Sequence, residues 1–167
     1  MMVACDSGKV SYKGFSFSVP DTYSLNKSKM DDGLQCLLVN KEDADNYAYI
    51  EITNDFIESL GGQPDNAQIS EALAEAMYDV CETFIFDDKD AEVDMEDGVN
   101  FGWNDDPDEE IFAEGQIVGT YEGKPFYAYT TAALWGPQAV VSLFIAFQKE
   151  ELKYQIDNIL KTYEWKK

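Results

Sequence analysis

The chain of 167 residues contains no histidine and no arginine, and all 12 of its basic residues are lysines. Without histidine, a Ser-His-Asp triad, a Cys-His dyad and imidazole ligands for zinc or iron are excluded. Without arginine, the chain has no bidentate clamp for carboxylate or phosphate, and no arginine to read guanine in a DNA groove. Several common classes of enzyme and DNA-binding site are therefore excluded before any motif is considered.

Basic residues are also few relative to acidic ones. The chain carries 33 acids, which leaves a formal net charge of -21. Residues 84–110 hold 12 acids and one lysine, whereas residues 111–167 hold six of each. Such a charge repels nucleic acid and anionic membrane surfaces. We predict no nucleic-acid partner, and a membrane association only through a lipid anchor.

The three cysteines are an odd number without C-x-x-C spacing, so the chain has no zinc or thioredoxin motif. Cys36 lies in an apolar run and Cys81 on a helical pattern, so both are predicted to be small buried hydrophobes. A Cys36–Cys81 disulfide is the alternative for an exported protein. No stretch approaches the ~20 consecutive apolar residues of a membrane span.

The start of the chain, Met2-Val3-Ala4-Cys5, looks like a degenerate bacterial lipobox, and the polar residues 6–9 resemble the tether that follows one. Four residues precede Cys5, without the charged and apolar regions of a signal peptide. The match therefore either ends a longer signal peptide or is accidental. The hypothesis is lipid attachment at Cys5, and the alternative is a free thiol on a frayed terminus. We predict a tether over residues 1–13 and a single α+β domain over 14–167.

The chain has enough apolar sequence for a globular core, with 45% hydrophobic residues. Its longest apolar region, Ile111 to Phe147, is divided into three runs by the turn signals at 122–125 and 136–137, which predicts an antiparallel meander. The last run, from Ala139 to Phe147, is apolar at every position but Ser142. Such a strand must be covered on both faces.

Two amphipathic helices are predicted around this meander. From Ile69 to Phe84 the apolar residues are spaced by three and four, and Asp65 or Asn66 can cap the helix, with Asp65 and Gln68 forming a capping box. A second helix is predicted from Glu150 to Tyr163. We expect the two helices to cover the faces of the sheet. Three shorter strands are predicted earlier in the chain, at 14–19, 34–39 and 47–53.

Two motifs and this order of elements resemble the PsbP-like fold family. The motifs are Phe15-Ser16-Phe17-Ser18-Val19-Pro20 and Gly119-Thr120-Tyr121-Glu122-Gly123-Lys124-Pro125. The family includes a photosystem extrinsic subunit, a Ran-binding nuclear transport factor and bacterial envelope proteins. The resemblance implies an antiparallel sheet with helices on both faces, an α/β/α sandwich, and non-catalytic roles. It places no functional residue on this chain.

The acidic segment offers the main candidate for a partner surface. It includes Asp105, Asp106, Asp108, Glu109 and Glu110, whose charges could steer a basic protein. The alternative is a solvated face that maintains solubility. An EF-hand starting at Asp90 is rejected because its sixth and twelfth positions are Met95 and Phe101. A weak, non-EF calcium site in the acidic segment stays an alternative. Otherwise we predict no metal site and no cofactor. Gly119 to Pro125 fits a hairpin turn better than a phosphate loop.

These observations predict a non-catalytic binding or accessory protein of the bacterial cell envelope, lipid-anchored if Cys5 is acylated. The alternative is a cytoplasmic inhibitor or immunity-type protein that masks a basic partner. A hydrolase using Asp/Glu chemistry is a third hypothesis, although no sequence feature selects one pair among the 33 acids.

Overall fold

The computed structural model describes residues 8–86, 91–92, 102–103 and 111–166, with the backbone alone at 86, 91–92 and 102–103. Cys5 and the five acids between 105 and 110 lie outside these ranges. The predictions of a lipid anchor and of an acidic docking surface at these positions therefore stay predictions.

The described ranges have a mixed α+β fold, which confirms the predicted class. The helices are α1 (Phe56–Ser59), α2 (Asn66–Cys81) and α3 (Lys149–Asn158), with a π-helical turn at Glu82–Phe86 and a 3-10 turn at Leu160–Thr162. The strands are β1 (Lys9–Tyr12), β2 (Phe15–Ser18), β3 (Tyr23–Met30), β4 (Gly33–Asn40), β5 (Tyr47–Thr53), β6 (Ala91–Glu92), β7 (Gly102–Trp103), β8 (Phe112–Tyr121), β9 (Lys124–Trp135), β10 (Gln138–Ala146) and β11 (Glu164–Trp165).

The strands form two antiparallel sheets. The large sheet has the order β3-β4-β5-β10-β9-β8-β6, with β7 also paired to β8. The small sheet has the order β1-β2-β11 and so brings residues 164–165 next to residues 15–16. The predicted meander is confirmed as β8, β9 and β10.

Strand β10 lies at the centre of the large sheet, between β5 and β9, and all nine of its residues are buried. Alternate residues of a strand point to opposite faces. Val141, Leu143 and Ile145 accordingly join one buried cluster, whereas Val140 and Phe144 join another. The sequence prediction that both faces of this strand are covered is confirmed.

Different elements complete the two clusters. Helix α2 contributes Ile69, Leu73, Met77 and Val80 to the first cluster. The second cluster receives Phe15 and Phe17 of β2, as well as residues from α3 onward: Leu152, Ile159, Leu160 and Tyr163. The second face is therefore covered in part by a small sheet that the sequence did not predict.

Helix α2 begins with the predicted capping box. The Asp65 carboxylate accepts a hydrogen bond from the Gln68 backbone N–H at 2.8 Å, and the Gln68 side-chain oxygen accepts one from the Asp65 N–H at 2.9 Å. The regular helix ends at Cys81, earlier than predicted, and passes into the π-helical turn.

The C-terminal helix is shorter than its apolar pattern predicts. It ends at Asn158, after which Ile159 adopts φ -117 and the 3-10 turn follows. The break allows the chain to return along the small sheet, where Trp165 pairs with Phe15. Tertiary pairing therefore replaces the last helical turn.

Two further strands were not predicted. Residues Lys9–Tyr12, within the predicted tether, form β1, and Val10 is buried. Strand β3 was not predicted because its six residues 24–29 are all exposed, so the sequence shows no alternation of apolar and polar residues there. Its buried residue, Tyr23, lies at the start of the strand, so the exposed residues that follow show no hydrophobic pattern.

The alternative of a Cys36–Cys81 disulfide is wrong. Both cysteines are free and buried, and they belong to the two different clusters, so the large sheet separates them. Burial raises the pKa of each thiol to about 11. The prediction that both act as buried hydrophobes is confirmed.

Candidate functional site

A groove lies beside α3, which we call the α3 groove. Its volume is about 630 Å³. One wall is the outer face of the β8–β9 hairpin and the other is α3. The lining residues are Gln116, Ile117, Val118, Tyr127, Ala128, Tyr129, Lys149, Glu150, Leu152, Lys153 and Ile156.

The hairpin wall is built by strand alternation and register. Gln116 lies opposite Tyr129, and Val118 lies opposite Tyr127. The side chains of the residues between them, Ile117 and Ala128, belong to the buried cluster that includes α2, on the other face of the sheet. Val118 is 50% exposed, and this apolar side chain therefore remains open to a ligand.

The turn of this hairpin determines its register. Glu122 and Gly123 form a two-residue loop with φ 49 and 76, and Tyr121 pairs directly with Lys124. Positive φ at both positions is the requirement of a type I′ turn, which matches the twist of the strands. The structure confirms that Gly119 to Pro125 is a hairpin rather than a phosphate loop.

The helical wall combines apolar and basic side chains. Leu152 and Ile156 are partly buried, and Lys149 and Lys153 are exposed beside them. Spacings of three and four place these four residues on one face of α3. The groove thus has apolar walls and a lysine-bearing edge.

The charges near the groove differ from those of the whole chain. Its lining contains two lysines and one acid, Glu150. In the described part of the chain, the ion pairs join Lys161 with Asp157 at 2.6 Å and Lys9 with Glu164 at 3.4 Å. Lys161, with a smaller effect of Lys153, lowers the pKa of Asp157. Neither lysine of the groove lies within ion-pair distance of a described carboxylate.

A tyrosine hydroxyl borders the groove. Tyr129 donates a hydrogen bond from its hydroxyl to Glu114 at 2.9 Å. Burial, reinforced by this carboxylate, raises the pKa of Tyr129 to about 12. The hydroxyl therefore stays protonated at neutral pH and stabilises the hairpin wall.

A smaller cavity of about 200 Å³ lies on the other side of the hairpin, against the π-helical turn that follows α2. Its walls include Phe84, Phe126 and Phe147, and the rings of the last two are 6.2 Å apart. Small-molecule sites usually measure about 300–1,000 Å³. The α3 groove falls in this range and the smaller cavity does not.

Sequence reasoning did not identify the groove. The alternation along β8 could have indicated that Gln116 and Val118 share one face of that strand. The residues of β9 that lie opposite them depend on strand register, and the residues of α3 that face them depend on tertiary packing.

In the described part of the chain, no group of three or more cysteine or acidic side chains is placed to hold a metal ion. The helices described there include none long and apolar enough to cross a membrane.

Comparisons with known proteins establish a likeness of fold. No protein-family model matches the chain, and no curated protein sequence matches it. A crystal structure of a protein from Bacteroides thetaiotaomicron at 1.50 Å resolution superposes with a TM-score of 0.50 and 12% sequence identity. The match covers 96% of this chain and 49% of the other, so this chain spans about half the length of that protein.

Proposed function

We propose that this chain is a non-catalytic binding or accessory protein of the bacterial cell envelope, and that its ligand occupies the α3 groove. The observation that carries the proposal is the groove itself, a cavity of about 630 Å³ with apolar walls built on a hairpin and a helix. Sites of this size and character bind small molecules in many proteins.

The chemistry of the described side chains supports a non-catalytic role. The two cysteines are buried and their pKa values are raised to about 11, so their thiols stay protonated at neutral pH. The chain has no histidine to activate a hydroxyl group. A binding protein requires neither group.

The fold that we propose for this function is the PsbP-like α/β/α sandwich. Its support is the division of the core into two clusters, one with α2 and the other with Leu152 of α3 and Ile159 after it. In this arrangement the sheet holds both walls of the groove in place.

A neutral fluorescent dye tests whether the groove binds ligands. We expect N-phenyl-1-naphthylamine to bind the wild-type protein, and Val118→Trp to weaken binding at least about tenfold because the larger indole occupies the apolar surface of the hairpin wall. The matched control is Leu25→Trp, since Leu25 is also an exposed apolar strand residue, on the distant strand β3. Absence of dye binding, or equal binding by the Val118→Trp variant, would contradict the proposal.

Attachment at Cys5 would place the protein at the membrane surface. Cells expressing the gene in its native context and fed an alkyne-labelled fatty acid should incorporate the label. Cys5→Ser should abolish labelling, whereas Cys36→Ala should retain it because Cys36 is buried. Persistent labelling of the Cys5→Ser variant would refute lipidation at this residue.

The second candidate function is a cytoplasmic inhibitor or immunity-type protein that masks a basic partner. It is favoured by the exposed face of α2, which carries Glu71, Glu75 and Asp79, followed by Glu82. Clustered acids accelerate the encounter with a basic protein and fix its orientation.

A pull-down followed by binding measurements with the purified partner tests this candidate. Replacing Asp105, Asp106, Asp108, Glu109 and Glu110 by Asn and Gln should abolish capture of a basic protein. A second variant, with the three acids of α2 and Glu82 replaced in the same way, tells which acidic surface is used. Capture that survives both variants would count against the inhibitor function.

A further inference from the structure

We infer that the α3 groove binds a single-chain anionic amphiphile, with its apolar chain between β8–β9 and α3 and its anionic head group at Lys149 and Lys153. This inference rests on the proposed function, because it names the class of ligand for the same groove.

The walls of the groove suit an unbranched apolar chain. Val118 and Tyr127 lie opposite each other on the hairpin, and Leu152 and Ile156 lie one helical turn apart on α3. All four side chains are partly or largely exposed, so their apolar surface is in contact with water in the unliganded protein. Removal of this surface from water favours binding of a hydrocarbon chain.

The lysines determine the sign of the head group. Lys149 and Lys153 are one turn apart on α3, and their side chains line the same groove. The only acid in the lining is Glu150. A cationic head group would meet two ammonium groups at close range, whereas a carboxylate or phosphate would be attracted to them.

The net charge of -21 is unevenly distributed, and these lysines lie in residues 111–167, where six lysines balance six acids. At physiological ionic strength the Debye length is about 8 Å, so distant acids are screened and the nearby charges decide the local field. Among the nearby acids, Asp157 is paired with Lys161, which leaves Glu150 against Lys149 and Lys153. The two lysines also lack an ion-pair partner among the described carboxylates. Charge complementarity therefore favours an anionic occupant over a cationic one.

Calorimetry with three twelve-carbon probes below their micellar concentrations tests the inference. The probes are dodecanoate, which is anionic, dodecyltrimethylammonium, which is cationic, and dodecyl maltoside, which is neutral. We expect the wild type to bind dodecanoate at least about tenfold more tightly than the cation. Val118→Trp should weaken the binding of dodecanoate at least about tenfold.

A matched pair of charge reversals separates a local effect from the net charge. The Lys149→Glu/Lys153→Glu variant should bind dodecanoate at least about tenfold more weakly, since each substitution replaces an attractive charge by a repulsive one at close range. The Lys27→Glu/Lys29→Glu variant changes the net charge equally on the exposed edge strand β3, and should change the affinity less than about twofold. Urea unfolding of each variant shows that it remains folded.

Each contrary outcome has a distinct meaning. If Val118→Trp abolishes binding of all three probes and the wild type does not distinguish them, the anionic ligand is refuted and the binding groove stands. Equal losses in both charge-reversal variants also refute recognition by Lys149 and Lys153. If no probe binds, or if Val118→Trp changes nothing, both the inference and the groove as a binding site are overturned. If light scattering shows a wild-type dimer that Val118→Trp dissociates, the occupant is a second copy of the chain and the inference is overturned.

Discussion

At the residue scale, Gly136, in the loop between β9 and β10, packs closely against the Trp165 ring. Gly136 has φ 61 in the two-residue loop between β9 and β10. A Cβ atom there would lie 2.2 Å from Cζ2 of Trp165, well inside van der Waals contact. The glycine is therefore required both by its backbone conformation and by the indole packed upon it.

Gly136→Ala should lower the free energy of unfolding by about 2–5 kcal/mol, the sum of left-handed backbone strain and overpacking against Trp165. Urea denaturation measures the change. The control is Gly123→Ala, because Gly123 also has positive φ but has no atom within 4 Å of the added Cβ. It should lose only about 1–2 kcal/mol. Equal losses in the two variants would show that contact with Trp165 is unimportant.

A buried hydroxyl pair joins the C-terminal segment to the centre of the large sheet. The hydroxyl groups of Ser142 and Tyr163 are 2.7 Å apart, and the Tyr163 ring packs edge-on against Phe15 at a centroid distance of 5.1 Å. Ser142 is the only polar residue in the apolar run of β10, and this contact explains why a hydroxyl is tolerated there. Sequence reasoning noted the exception but had no means of identifying its partner.

At the element scale, α2 depends on a cap and on its buried face. Its exposed face carries like charges at Glu71, Glu75 and Asp79, spaced by four, which repel each other by a few tenths of a kcal/mol per pair. The apolar stripe against the sheet offsets this repulsion. The capping box supplies hydrogen bonds that the first turn would otherwise lack.

Asp65→Ala should lower the free energy of unfolding by about 1 kcal/mol because the Gln68 N–H loses its acceptor. Asp65→Asn keeps an acceptor oxygen and should cost only a few tenths of a kcal/mol. Thermal and urea unfolding of both variants measure the difference. A loss as large in Asp65→Asn as in Asp65→Ala would point to the charge of Asp65 rather than to the capping hydrogen bond.

The element boundaries show where local sequence is insufficient. The start of α2 was predicted because its cap is encoded within four residues. The end of α3 was not, because Ile159 and Leu160 continue the helical spacing while the chain turns toward the small sheet. Pairing of β11 with β2 joins residues about 150 positions apart in the sequence. A contact over such a distance cannot be predicted from a local sequence pattern.

At the scale of the whole molecule, several buried groups ionise only at high pH. Burial raises the pKa of Tyr23 to about 12, and it raises the pKa of both thiols, at Cys36 and Cys81, to about 11. The pKa values of Tyr49 and Tyr163 are also raised, mainly by burial, and for Tyr49 further by its hydrogen bond to Glu51. The folded protein therefore keeps protons that the unfolded chain releases.

This difference predicts a loss of stability in alkali. The pKa values of these groups are higher in the folded than in the unfolded chain, so their contribution is complete below the unfolded values of 9.0 for cysteine and 10.0 for tyrosine. As the pH rises beyond each unfolded value, the free energy of unfolding falls by up to about 1.4 kcal/mol per pH unit and group. Urea unfolding under reducing conditions between pH 8 and pH 11 should show the decline beginning near pH 9.

The double variant Cys36→Ala/Cys81→Ala separates the two kinds of group. It should move the onset of the decline from near pH 9 to near pH 10, where the tyrosines begin to contribute. Its absolute stability will also fall because two core side chains become smaller. An unchanged onset in the variant would contradict the role of the buried thiols.

The sequence by itself determined the features that depend on neighbouring residues and on composition. These include the α+β class, the three strands of the meander, the start of α2 and the absence of histidine and arginine chemistry. Turn residues, caps and hydrophobic periods act over a few positions, which is why they can be predicted from a single chain. The lipid anchor at Cys5 and the docking surface at 105–110 stay predictions.

Only the tertiary structure determined which residues lie in contact when they are far apart in the sequence. It separated Cys36 from Cys81, joined β11 to β2 in a small sheet, and placed Val118 and Tyr127 opposite Leu152 and Ile156. Each of these relations depends on strand register and on the packing of a helix over a sheet. Register and packing minimise the free energy of the whole molecule, and no segment of the sequence encodes them alone.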